Sequence, residues 1–247
     1  MRFLTHGDAN APALMLIHGM ANTPALFDPI LPYLRDYYVI VCELDGHSEA
    51  VRGEFRSVDD SCEKIEAYVR RELDGKLCGL LGFSLGGTIA VELLSRGKIT
   101  VEKTILDAAF NVSMGIMTFP FKWMFQTAVA CVKMNIRVPR FMVEMVMGKG
   151  NGDIVKIIYR GVSQRSVSNA CLSVYRYEMK DSIRKYQNPI VFWYGTNEYF
   201  PVKSAKLLKQ YLPQLQKRVF KDMGHGQLLH EHPCMYAKRM RSFLADA

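Results

Sequence analysis

The segment Gly82-Phe83-Ser84-Leu85-Gly86-Gly87 sets a serine between two glycines in a G-x-S-x-G pattern. A hydroxyl raised on a tight strand-to-helix turn can attack a carbonyl. The surrounding backbone then comes so close that only small residues fit two before and two after it. Gly82 and Gly86 meet that need, and Gly87 lets the following helix pack closely. The N-terminus of that helix brings positive potential beneath the Ser84 oxygen. The same letters also suit an ordinary glycine-rich strand–helix turn, so partners elsewhere in the chain must decide.

A serine hydroxyl needs a base, and the chain offers His6, His18, His47, His225, His230 and His232. His225 stands in Met223-Gly224-His225-Gly226, where flanking glycines let the backbone turn and aim the ring across a sheet edge. His18 ends an apolar strand run and reads as a structural, hydrogen-bonded imidazole. His230 and His232 fall on or before the last helix as solvated or packing residues, and His47 has no evident partner in its loop. A third group must hold the base's tautomer. Chain order leaves Glu198, in Gly195-Thr196-Asn197-Glu198, and Asp107, after Thr104-Ile105-Leu106. Glu198 is favoured because its strand directly precedes the one that delivers His225, and Asp107 stays as the alternative acid. Asp222, three residues from His225, reads as a turn carboxylate. Acyl transfer further needs two N–H donors aimed at the developing oxyanion. Leu85, after the serine, supplies one, and Met20, in the loop after His18-Gly19, supplies the other.

The elements that must position these groups are legible as short apolar runs. Ala13 to Ile17, Tyr38 to Cys42, Leu77 to Leu81, Thr104 to Leu106 and Ile190 to Tyr194 suit strands buried on both faces of a parallel sheet, with a weaker strand at Lys217 to Phe220. Helical spacing falls between them: from Ser57, a natural N-cap, to Gly75; from Leu85 to Ser95; from Pro201 to Leu212; and from Pro233 onward. This alternation predicts an α/β fold with a mostly parallel, doubly wound sheet. Residues 111–185 break it, being helical and rich in methionine. The expected organisation is a core of residues 1–110 and 186–247 with a helical cap inserted at 111–185.

Composition agrees with one folded unit. The chain has 247 residues, 49% of them hydrophobic and 23% charged, which excludes disordered, collagen-like and coiled-coil classes. The six cysteines form no CxxC pair and read as reduced, mostly buried thiols, with no metal site. The first ten residues lack a signal-peptide core, and no stretch of about 20 apolar residues occurs. A cytoplasmic location follows as the expectation. The net charge of +8 is localised: residues 111–188 hold twelve Lys or Arg against four Asp or Glu. No nucleic-acid motif accompanies it, so the basic excess reads as a solvated face, or as one that meets anionic substrates or a membrane surface.

With these residues in hand the chain resembles the α/β-hydrolase superfamily over nearly its full length. The resemblance rests on His18-Gly19, on Gly82 to Gly87, on Gly195-x-x-Glu198 with Pro201 following, and on Gly224-His225 with Glu231 and Pro233 downstream. It implies Ser84 as nucleophile, His225 as base, Glu198 as acid and the Met20 and Leu85 amides as oxyanion donors, with no cofactor. Three departures stand out. The family more often has Asp at the acid position. Its D-x-P-G-H-G-x-S loop is shortened here to Glu43-Leu44-Asp45-Gly46-His47-Ser48. The N-terminus is brief enough that the usual first antiparallel strand is expected to be missing.

The implied activity is hydrolysis of a carboxylic ester of a small, partly apolar molecule through an acyl-enzyme. Thioesterase, lyase or carbon–carbon hydrolase chemistry would use the same triad, and a slow-turnover ligand sensor is the non-enzymatic alternative. Phe83, Met114, Met117, Phe121 and Trp123 are the expected lining of the substrate pocket.

Overall fold

The apolar runs become the parallel strands. The computed structural model describes residues 1–48, 53–147 and 160–245. Its strands are β1 (Arg2–His6), β2 (Ala13–Ile17), β3 (Tyr38–Glu43), β4 (Lys76–Phe83), β5 (Thr100–Asp107), β6 (Ile190–Gly195) and β7 (Gln216–Phe220), in the sheet order β1-β3-β2-β4-β5-β6-β7. All neighbours from β3 to β7 run parallel. Along β2, Leu14 and Leu16 enter one apolar layer while Met15 and Ile17 enter the other, so the strand is apolar at every position because both faces are covered.

The expectation of a missing first strand is corrected. β1 pairs antiparallel with β3, from Arg2 opposite Glu43 to His6 opposite Val39. Its apolar signal is weak because it is an edge strand with Arg2, Thr5 and His6 exposed or half-exposed. Phe3 stacks on Tyr68 at 3.9 Å between ring centroids, and Arg2 pairs with Glu43 at 2.5 Å.

Helices α1 (Val58–Glu72), α2 (Leu85–Arg96), α6 (Tyr199–Tyr211), α7 (Gln227–Glu231) and α8 (Pro233–Ala245) flank the sheet. Ser57 caps α1 as its residue type demands, with its hydroxyl accepting from Asp60 N–H at 3.0 Å. Ile89 and Leu93 of α2 are fully buried, each worth roughly 1.5–3 kcal/mol of apolar burial. On the opposite face, Tyr236, Ala237 and Met240 of α8 pack over Ile105, Val191 and Trp193.

Between β5 and β6 the chain carries α3 (Thr118–Lys133), α4 (Arg140–Met147) and α5 (Gln164–Tyr175). Phe125 and Val129 of α3 and Val167, Cys171 and Val174 of α5 share one apolar layer with α2. A buried anchor reinforces this join: Glu92 of α2 accepts from Lys180 Nζ at 2.5 Å and from Tyr177 Oη at 3.2 Å.

The order of strands reverses at β2, which lies between β3 and β4. In open parallel sheets, ligands bind in the crevice outside the carboxyl ends of the strands at such a reversal. The loop after β2 and the turn after β4 both open there.

Candidate active site

Ser84 occupies the turn between β4 and α2 at φ 53, ψ −114, a conformation that non-glycine residues rarely adopt. Backbone bonds hold it there: Ser84 N–H donates to Asp107 O at 2.8 Å, and Ser84 O accepts from Gly87 N–H and Thr88 N–H. The flanking glycines are steric requirements. A Cβ on Gly86 would collide with the Ile17 carbonyl oxygen, and one on Gly82 with that of Gly86. Although Ser84 sits where a helix cap belongs, its side chain makes no capping bond. The hydroxyl is left over the positive end of α2.

His225 follows β7, on the loop expected to carry it. Its Nδ1 lies 2.8 Å from Glu198 Oε1, and both side chains are largely buried. Glu198 directly follows the β6 turn, and its Oε2 accepts from Gly195 N–H at 2.6 Å. An ionised carboxylate can only accept, so Nδ1 carries the proton and Nε2 is left with its lone pair. The Phe83 ring, one residue before Ser84, lies 4.9 Å from the His225 ring. Among the described residues Ser84 Oγ makes no hydrogen bond.

Asp107 is placed differently. It ends β5 opposite Phe83 of β4, buried, with Oδ2 accepting from Tyr236 Oη at 2.9 Å. Burial, and then the charge of nearby Glu198, push its carboxyl up to about 7, while the Tyr236 bond and His225 oppose the rise. Both candidate acids therefore belong to one cluster, but Glu198 is the one bonded to the imidazole.

Among the described residues nothing accepts from Met20 N–H or Leu85 N–H. Met20 lies in the loop after β2, which Ala21 turns at φ 56, and Leu85 opens α2 after β4. His18 is fully buried and bonded through both ring nitrogens: Nδ1 meets Gly19 O at 2.9 Å, and Nε2 accepts from Leu44 N–H at 3.2 Å. That arrangement requires a neutral ring, and burial lowers its pKa to about 3. His47 is also fully buried, 5.4 Å from the His18 ring, with Nδ1 on Asp45 O and Nε2 without a partner among the described residues.

Of the expected lining, Phe83 is buried beside His225, and Met114 and Phe121 are half-buried against the main apolar layer. Met117 and Trp123 are exposed, Trp123 by 72%. An aromatic cluster lies outside the residues singled out from the sequence: the Phe110 ring lies 5.1 Å from each of Tyr175 and Phe200, and Phe121 lies 5.4 Å from Phe200. These rings come from four segments, and the one available signal was Phe200 standing two residues after Glu198. Among the described residues, no group of His, Cys, Asp and Glu is arranged to hold a metal ion. No described helix is long and apolar enough to cross a membrane.

The family of the α/β hydrolase fold matches residues 12–133. A solved protein from Desulfitobacterium hafniense, described as an α/β hydrolase family protein, is 26% identical, covering 98% of this chain and 100% of its own, with a TM-score of 0.88. A carboxylesterase structure from the thaumarchaeon Nitrososphaera gargenis is 17% identical over 99% of this chain and 93% of its own, at a TM-score of 0.78. A bromoperoxidase from Bacillus anthracis is 18% identical over 99% and 95%, at 0.81. No protein of curated function matches the chain.

Proposed function

The chain belongs to the α/β-hydrolase superfamily, and from that premise we propose that it is a serine hydrolase of carboxylic esters, with Ser84, His225 and Glu198 as its triad. Ser84 Oγ attacks the substrate carbonyl while His225 Nε2 takes its proton. Negative charge then develops on the carbonyl oxygen between the Met20 and Leu85 amides. Each such donor is typically worth about 2.7–4 kcal/mol of barrier. The imidazolium protonates the leaving alkoxide and an acyl-enzyme remains. Water, deprotonated by the same Nε2, attacks that acyl group and frees the acid and Ser84. Glu198 keeps Nδ1–H in place and offsets the charge on the ring.

The observation that carries this reading is the 2.8 Å bond between His225 and Glu198, with Phe83 packed against the same ring. In this reading, residues 111–185 act as a cap. Phe121 and the aromatic cluster around Phe200 form an apolar wall beside Glu198, suited to a small, partly apolar acyl or aryl group. The carboxylesterase neighbour favours esters, although its fold is shared with a bromoperoxidase, and fold alone does not choose the reaction.

The test is stopped-flow hydrolysis of a series of p-nitrophenyl esters and matching thioesters. A burst of nitrophenol stoichiometric with enzyme, absent in Ser84→Ala, is the expected result. Turnover of thioesters far ahead of esters would move the activity to the thioesterase class. No burst and no turnover with any member would refute the proposal.

A further inference from the structure

Helix α3 carries two apolar stripes on opposite sides. Thr118, Phe121, Phe125, Val129 and Val132 face inward and are buried or half-buried. Ile116, in the turn that leads into the helix, then Phe119, Trp123 and Met134 follow at spacings that return to the outer side, and all four are exposed, Ile116 by 84%. A helix on a water-facing surface should be polar along that outer stripe, and one that is apolar all round is normally covered on every side. Exposed Trp and Phe on one contiguous face mark an interaction surface.

The charge around the stripe identifies what covers it. Between residues 111 and 147 the exposed cations Lys133, Arg137 and Arg140 stand against a single acid, Glu144, to which Arg140 is bound at 2.7 Å. Arg176, from the end of α5, lies 4.8 Å from the Phe119 ring centroid, so cationic heads sit beside the apolar side chains. An apolar stripe with a Trp, edged by Lys and Arg, matches a bilayer interface whose headgroups are anionic.

We propose that the outer face of α3 seats on an anionic lipid bilayer, with Ile116, Phe119 and Trp123 entering the acyl boundary and the flanking Lys and Arg meeting headgroup phosphates. Phe121 on the inner side of the same helix packs on Phe200, two residues from Glu198. A seated α3 therefore brings the bilayer next to the crevice. Granting the serine-hydrolase reading, the substrates are esters dissolved in the membrane.

The chain contains its own reporter. It has two tryptophans, and Trp193 is buried, so a spectral change on binding arises from Trp123. The experiment adds vesicles of about two parts phosphatidylcholine to one part phosphatidylglycerol, or phosphatidylcholine alone, to the full chain at low and high salt. Expected are co-sedimentation with the anionic vesicles, weakened by salt, and a blue shift of Trp123 emission that brominated acyl chains quench. The double variant Ile116→Ser/Phe119→Ser should bind at least about tenfold more weakly. Arg137→Glu/Arg176→Glu should lose about tenfold on anionic vesicles alone. The Ser variant keeps its rate on a water-soluble short ester, and Ser84→Ala binds vesicles as well as wild type, so binding and catalysis can fail separately. No binding of wild type to anionic vesicles at low salt would overturn the proposal. So would sedimentation showing a dimer that Ile116→Ser/Phe119→Ser converts to monomer, since a second copy would then be the cover.

Discussion

The ends of β5 and β6 lie side by side in the sheet, each with a buried carboxylate within electrostatic reach of the same imidazole. Glu198, one turn past β6, reaches His225 with one oxygen and the Gly195 amide with the other. Asp107, on the last residue of β5, is instead bonded to Tyr236 of α8, and burial beside Glu198 raises its pKa to about 7. Two neighbouring charges in one dry cluster cannot both be held cheaply. The molecule resolves this by bonding one to an imidazole and the other to a hydroxyl. Position at a strand end does not separate the two carboxylates. The partner within reach does.

Substitution of the two carboxylates breaks the comparison most strongly. Glu198→Gln is expected to lower kcat by about 10³–10⁴-fold on a soluble ester, the scale seen when a triad carboxylate is made neutral. Asp107→Asn should cost less than about tenfold, and the double variant should match Glu198→Gln alone. Steady-state rates check this. A double variant far slower than Glu198→Gln would mean that Asp107 takes over the role.

Stability sharpens the contrast next. The folded chain keeps a proton on Asp107 up to about pH 7, whereas the unfolded chain releases it near 3.8, so this group's contribution falls as pH rises through that window. His18 and His47 act in the opposite sense. Their pKa values are lowered to about 3 and about 4 from 6.5, so stability is full above 6.5 and is lost as pH falls through those values. Thermal unfolding of Asp107→Asn should therefore gain on wild type between about pH 5 and 8. A constant difference across that range would mean that Asp107 is already ionised in the folded chain. The smallest effect is expected from Tyr236→Phe, which leaves Asp107 short of a donor. It should cost about 1–3 kcal/mol by denaturant titration while kcat stays within a few-fold of wild type.

The sheet was readable in the sequence because strands buried on both faces are apolar at every position, as in Ala13–Ile17. β1 was missed because an edge strand with half its face in water keeps only Phe3 and Leu4 as signal. The turns that carry Ser84 and His225 were legible through the glycines beside them. The choice between Glu198 and Asp107 stays open in the sequence because both stand at the ends of buried strands, and nothing in the spacing of the last helix ties Tyr236 to Asp107. Phe121 and Trp123 are two residues apart in a Met-rich run, where composition says nothing of direction. One packs on Tyr175 and Phe200 and the other faces water. The Phe110, Tyr175 and Phe200 cluster joins segments far apart in the chain, so no local spacing could reveal it.

Treatment of the folded protein with a fluorophosphonate, followed by peptide mass spectrometry, is the most direct check on the central claim of an activated serine. One adduct per chain on Ser84 is the predicted result, abolished by unfolding and slowed in Glu198→Gln far more than in Asp107→Asn. A folded chain that takes up no label, or carries it on another serine, would contradict the account.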